Sequence, residues 1–407
     1  MSKSIASATI QRITPAPNCS SSLAQNPLIF SFFSGAGFLD LGFEKAGFQI
    51  AYVNEVHKPF LDAYKYSRRK MGTPPPLYGY FEGDIECCIF GEEAKRLGSF
   101  VSTAKGNKQC VGFIGGPPCP DFSVGGKNRG QYGENGKLSK IYVDLICKQK
   151  PDFFVFENVK GLYRTFRHRQ FFDALKRQLA EVGYSCTERL INAIEYGAPQ
   201  DRERIILFGV KQPQTKKNLP RFDWYAHVLH REGEALRYSW PSTQAISRTR
   251  PRPTNIPVEL TVQHWFERNN VEHHPNAQHQ FKPRAGIAKF ETVDEGDDSK
   301  KSYKRLHRWR YSPTAAYGNN EVHIHPYLPR RISVAEALAI QSLPKEFELP
   351  SGMTLSNMFK TVGNGVPFFA AYGLALTILD FLKVAENEIN GKQHCKSHPQ
   401  PAKGSVV

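Results

Sequence analysis

The chain has 407 residues, 40% of them hydrophobic and 23% charged, an ordinary globular balance with room for one large domain and a smaller second one. Its 54 basic residues against 38 acidic ones give a net charge of +16, which favours a polyanionic partner through counterion release. No stretch is expected to reach the roughly 20 apolar residues of a membrane span, and the N-terminus lacks the apolar core of a secretory signal. Eight scattered cysteines without a C-x-x-C pair argue against a zinc site and for a reduced, intracellular protein.

Residues 1–26 carry no acid and little periodicity, and read as a disordered tail, with a transit peptide as the other reading. Order begins at Leu28, where Leu28-Ile29-Phe30-Ser31-Phe32-Phe33 is an apolar run of strand length. Ser34-Gly35-Ala36-Gly37 follows, and the spacing of Phe38, Leu39, Leu41, Phe43 and Ala46 predicts a helix. Strand, glycine turn and helix open a nucleotide-type α/β fold, in which backbone N–H groups meet a ligand. A second apolar stretch, Phe48 to Val53, ends in Asn54-Glu55, and an acid placed 20 residues after Gly35 commonly holds ribose hydroxyls. Alternatively, the glycines form a structural turn and Glu55 is a solvated strand-end charge.

The alternation continues with a helix over 57–70, the segment Gly83-Asp84-Ile85 and a helix within 87–97. Val111 to Ile114 is a strand that stops at Gly115-Gly116-Pro117-Pro118-Cys119, presenting one thiol on a rigid loop. The stretch 124–133, rich in glycine and basic residues, has the composition of a mobile loop that closes over a polyanion. A helix over 138–148 leads to the strand Asp152 to Phe156, which ends in Glu157-Asn158-Val159. A helix over 171–182 and a strand from Ile205 to Val210 complete a doubly wound, mostly parallel sheet. Gly35, Glu55, Asp84, Cys119 and Glu157 all fall just past strand ends, where such sheets bind ligands.

Residues 211–330 lose this rhythm. They hold all four tryptophans, nine of the 13 histidines, and 20 basic against 12 acidic residues. The densest run, Lys300 to Arg310, interleaves basic and aromatic residues, a pattern suited to phosphate and base contacts, or to a solvated surface strand. Order resumes at Arg331, with a capping box at Ser333 and Glu336 opening a helix through Gln341. Gly363-Asn364-Gly365-Val366-Pro367 is expected to form a tight turn, followed by an apolar helix from Phe368 to about Val384.

In these motifs the chain resembles the DNA (cytosine-5)-methyltransferases over roughly residues 28–210 and 330–385. The resemblance implies a Rossmann-like catalytic domain (27–210 with 331–386), a target-recognition domain (211–330) and a C-terminal tail (387–407). It identifies Phe33-Ser34-Gly35-Ala36-Gly37 with the S-adenosyl-L-methionine loop, and adds Glu55, Asp84, Ile85, Pro117 and Asn364 as cofactor contacts. Pro117-Pro118-Cys119 with Phe122-Ser123 is similar to the nucleophile loop, although Pro120 stands where the family commonly has Gln. Glu157-Asn158-Val159 resembles the cytosine-clamping acid, and Gln200-Asp201-Arg202-Glu203-Arg204 the Q-x-R-x-R element. Implied DNA contacts are Ser123, Lys127, Arg129, Lys304, Arg305, Arg308 and Arg310.

These residue types suit the chemistry. Cytosine C5 is a poor nucleophile until a thiolate adds at C6, so Cys119 is the expected nucleophile. Glu157, with its pKa raised by burial, is expected to serve N3 and the exocyclic amine, with Arg204 or Arg202 supporting the base carbonyl. The target base lies inside a duplex and has to be rotated out. The expected protein is therefore a monomeric, stand-alone bacterial enzyme of the cytoplasm that needs no metal and no membrane. It would act on double-stranded DNA, with a restriction endonuclease as its functional rather than physical partner. Other readings are a relative acting on cytosine in transfer RNA, a catalytically idle DNA-binding module, and a nicotinamide dehydrogenase.

Overall fold

The computed structural model describes residues 25–118, 134–212, 219–247, 249–283, 286–314, 317 and 321–389. The strands β1 (Leu28–Phe32), β2 (Gln49–Glu55), β3 (Tyr80–Glu82), β4 (Val111–Gly115) and β5 (Phe153–Val159) run parallel. Strands β6 (Tyr184–Asn192) and β8 (Glu203–Lys211) join them in a seven-stranded sheet of order β3-β2-β1-β4-β5-β8-β6, with β8 antiparallel to both its neighbours. The two-residue β7 (Gln200–Asp201) lies outside this sheet.

The apolar runs form strands because both faces of the sheet are covered. Period-2 alternation sorts their side chains. Phe30, Phe32, Phe113, Phe154, Phe156 and Leu207 enter one core, with residues of α3 (Glu92–Gly106), α4 (Glu134–Gln149) and α6 (Phe166–Glu181). Ile29, Ile114, Phe153, Val155, Ile206 and Phe208 enter the opposite core, with α1 (Phe38–Ala46), α2 (Lys58–Lys70) and α11 (Phe368–Ile389). Helices α1 and α11 approach so closely that a Cβ on Gly42 would lie 2.5 Å from the Ala371 Cβ.

A short helix, α5 (Lys160–Arg164), joins β5 to α6. Beyond β8 the chain first packs under the sheet, where the Phe222 ring lies 4.5 Å from Phe208. It then crosses a segment with few regular elements: α7 (Val262–Arg268), α8 (Lys289–Thr292) and the short strands β9 (Lys304–Arg305), β10 (Ser312–Pro313) and β11 (His323–Ile324). Strand β10 pairs with β7, and β11 with β9. Helices α9 (Val334–Ile340) and α10 (Leu355–Asn364) build a third core with Val262, Trp265 and Phe266 of α7 and Phe38 and Leu41 of α1. The segment is thus stitched to the sheet domain at both of its ends.

The capping box at Ser333 and Glu336 is present. Three expectations are corrected. The stretch 363–367 is no free turn, because Gly363 and Asn364 end α10 and Gly365 caps it. The region 87–97 divides into a 3-10 turn, Ile85–Cys88, and the longer α3. The stretch Leu355–Glu388 is long and apolar enough to span a bilayer, but 61% of its apolar window is buried inside the protein, as expected of a core helix. Strand β6 was not anticipated, for its edge position leaves the alternation of buried residues faint.

Candidate active site

The glycine loop closes the C-terminal end of β1. Phe33 holds a left-handed φ of 53°, uncommon for a residue with a side chain, and its ring meets Tyr142 edge-on at 6.0 Å. Ser34 N–H donates to the Asn54 carbonyl (3.2 Å), and Gly37 N–H to the Ser34 carbonyl (2.8 Å). Ala36 is buried beside them. Gly35 N–H donates to Glu55 Oε2 at 2.8 Å, while Glu55 Oε1 accepts from His57 N–H at 2.8 Å. The acid at the end of β2 is therefore fixed against the loop.

Asn54 ties in the next strand end by donating from Nδ2 to the Gly83 carbonyl at 2.8 Å. Asp84 is exposed and accepts from Glu86 N–H at 2.8 Å, whereas Ile85 is buried. Asn364 is exposed at the end of α10. Two hydroxyls in this region, Ser34 Oγ and Thr361 Oγ1, are buried with no hydrogen-bond partner among the described residues, and Thr361 Oγ1 lies 4.0 Å from where a Gly35 Cβ would stand. A fixed acid and two unsatisfied hydroxyls beside a glycine loop form a donor and acceptor set that fits a nucleoside with a zwitterionic amino-acid tail.

The acid of the reaction is placed by strand register. Glu157 lies opposite Ile206, and Val159 opposite Arg204, so Glu157 and Arg204 are diagonal neighbours on one sheet face. Arg204 Nε sits 3.0 Å from Glu157 Oε1. Burial raises the Glu157 pKa above the usual carboxylate range, against the lowering pull of Arg204 and then Arg202. A Cβ on Gly116 would lie 2.6 Å from Glu157 Oε2, so only glycine leaves room for the carboxylate there.

Arg202 is 1% exposed, and its Nη2 donates to the Gly363 carbonyl at 2.6 Å. Burial, then the like charge of Arg204, pulls its pKa well down. It is a strut between the acid's surroundings and the end of α10. Pro117 is buried, and its carbonyl accepts from Asn158 Nδ2 at 3.4 Å, which fastens the start of the cysteine loop beside Glu157. Cys119, Ser123, Lys127 and Arg129 lie outside the described residues.

The residues expected to meet DNA in 304–310 divide. Lys304 and Arg310 are partly exposed. Arg305 is 1% exposed, and its guanidinium donates to the carbonyls of Val293 (2.6 Å), His325 (2.7 Å), Leu328 (3.1 Å) and Phe290. Arg308 is also buried, bonding through Nε to the fully buried Glu295 (2.8 Å) and through Nη2 to the Ser247 carbonyl. The cause lies in the irregular backbone, whose carbonyls lack ladder partners that a guanidinium fork supplies. Asn158 and Gln341 were named in the sequence only as members of motifs, without a role of their own, and Thr361 was missed for want of any signal; Gln341 Nε2 donates to the Val362 carbonyl at 2.7 Å. Among the described residues no group of three or more His, Cys, Asp or Glu side chains is placed to hold a metal.

A mostly parallel sheet of this order, with a glycine loop after β1 and an acid at the end of β2, defines a Rossmann-like α/β fold built to hold a nucleoside cofactor. The chain belongs to the C-5 cytosine-specific DNA methylase family, whose model matches residues 28–379. It is a methyltransferase family of the kind that uses S-adenosylmethionine. Among its relatives is the type II methyltransferase M.NmeDI of Neisseria meningitidis serogroup C, 68% identical over 356 residues that cover 88% of this chain and 84% of the relative. M.FnuDI of Fusobacterium nucleatum is 28% identical, covering 87% and 94%. A solved chain from E. coli, assigned as a prophage-encoded DNA modification methyltransferase, shares the fold with a TM-score of 0.59 at 20% identity, covering 88% and 99%.

Proposed function

We propose that the protein methylates C5 of one cytosine within a specific sequence of duplex DNA, through a covalent bond from Cys119 to C6. The observation that carries this reading is the buried Glu157–Arg204 pair beside the start of the cysteine loop. S-adenosylmethionine, when bound, supplies an electrophilic methyl group. Glu55, the 33–37 loop with Ser34, Thr361, Asp84 and Asn364 are the residues that would hold it.

The Cys119 thiolate adds to C6 of a cytosine rotated out of the duplex, and the electron pair displaced toward N3 is met there by the proton on Glu157. Arg204 keeps that carboxyl in place and supports the base carbonyl. C5 takes the methyl group as the donor's S–CH3 bond breaks to leave a neutral thioether, a base removes the C5 proton so that its bonding pair re-forms the C5–C6 double bond and expels the thiolate, and N3 returns its proton to Glu157. Segment 211–330 would read the sequence, with Lys304 and Arg310 among the available phosphate contacts. The 68% identity to a type II methyltransferase supports a role in bacterial restriction–modification, exerted by a cytoplasmic monomer that protects DNA from a partner endonuclease.

The test is methyl transfer from labelled S-adenosylmethionine to duplex DNA, with transfer RNA as a parallel substrate. Wild-type protein should label duplex DNA, and Cys119→Ser should lose at least ~10³-fold in rate, as expected when a covalent nucleophile is removed. Full transfer by that variant would overturn the mechanism. Bisulfite sequencing of DNA from expressing cells then gives the target cytosine.

A further inference from the structure

The corner between α5 and α6, which follows the acid's strand, is exposed, basic and aromatic. Helix α5 begins at Lys160, directly after β5, and buries Gly161 and Leu162. Helix α6 buries His168, Phe172, Leu175 and Leu179. The His168 ring of α6 donates from Nδ1 to the Gly161 carbonyl of α5 at 3.2 Å, which ties the two helices together, and Arg169 N–H closes the first turn of α6 on the Thr165 carbonyl at 2.8 Å. Between these anchors Arg164, Thr165, Phe166 and Arg167 all stand exposed, with Phe166 at 75%.

A single exposed apolar side chain means little. Here an aromatic ring sits between two arginines, and the corner follows directly on β5, the strand that carries Glu157. Glu203 accepts from Lys160 Nζ at 2.6 Å and from Arg164 Nη2 at 3.0 Å, and its chain neighbour is Arg204. One carboxylate against Lys160, Arg164 and Arg167 leaves the corner positive. Among the described residues, Arg167 makes no ion pair. The equally exposed Phe90 (74%) offers a comparison: Lys148 Nζ lies 5.8 Å from its ring centre, but its chain neighbours are Ile89 and Gly91 rather than arginines.

We infer that the Arg164–Arg167 corner is a DNA-docking surface that grips the duplex beside the target cytosine. Arg164 and Arg167 meet backbone phosphates, and Phe166 packs on the face of a neighbouring base that is bared when the cytosine leaves the stack. The inference rests on the DNA substrate of the preceding section and adds a contact from the sheet domain itself.

The experiment measures equilibrium binding of the full chain to a short duplex centred on the cytosine mapped by bisulfite sequencing, across a salt series. Phe166→Ala with Arg167→Ala should weaken binding roughly tenfold or more, and the slope of log K against log salt should shrink by about 0.9, for one lost phosphate contact. Arg167→Glu alone should weaken it further than Arg167→Ala. Phe90→Ala is the control and should bind as wild type. If the double variant matches Phe90→Ala in affinity and slope while wild-type protein methylates the duplex, the docking inference falls and the proposed function stands. If wild-type protein transfers no methyl group to DNA, the proposed function falls first.

Discussion

Glu157 holds its carboxyl in a buried position where the proton is retained to higher pH than in a solvated acid, while Arg204 opposes that retention from 3.0 Å. The sign of a perturbation follows. Removing Arg204 takes away a pull that lowers the pKa, so Glu157 would stay protonated further up the pH scale. Arg204→Gln is therefore expected to lower the maximal methylation rate by roughly 10²-fold or more and to move the alkaline limb of the rate profile upward. A limb that moves down, or stays, would show that another group titrates in the reaction. Gly116 gives a second test at this scale. Gly116→Ala places a methyl group 2.6 Å from the carboxylate, with the alternative of shifting the cysteine loop's root. We expect the folded variant to lose roughly 10²-fold in turnover, which single-turnover kinetics would detect; an active Gly116→Ala would mean that Glu157 works from another position.

The arginines of β9 and the turn after it behave as internal fasteners. Arg305→Ala would strip donors from several carbonyls inside an irregular segment, so we expect it to cost about 3 kcal/mol of stability, read as a lower urea midpoint. The salt slope of DNA binding by the folded variant should not change, which separates this role from a phosphate contact. The same element marks where sequence reading stopped. Strands β1, β4 and β5 were legible because a sheet covered on both faces leaves uninterrupted apolar runs. The Glu157–Arg204 contact was legible only as two motifs, since their diagonal placement depends on β8 entering antiparallel beside β5. The buried state of Arg305 and Arg308 was not legible. A basic run on a solvated surface and one that closes open carbonyls have the same composition, and only the course of the backbone separates them.

At the scale of the molecule, the net charge of +16 sets the expectation for DNA binding to any sequence. Affinity for non-target duplex should fall steeply with salt, with a log–log slope of about −4.5 to −8 if roughly five to nine phosphates are neutralised. A slope near −1 would contradict a broad basic footprint. The buried arginines mean that the footprint is narrower than the formal charge suggests. Time enters through the pairing of α1 with α11. The first helix is covered by the last described one, about 330 residues later in the chain. At roughly 5–20 residues per second, a ribosome needs about 15–65 s to deliver the cover. During that interval the side of α1 that faces α11 has no mate, so a nascent chain halted before Phe368 is a client for a chaperone and should bring no methylation to the DNA around it.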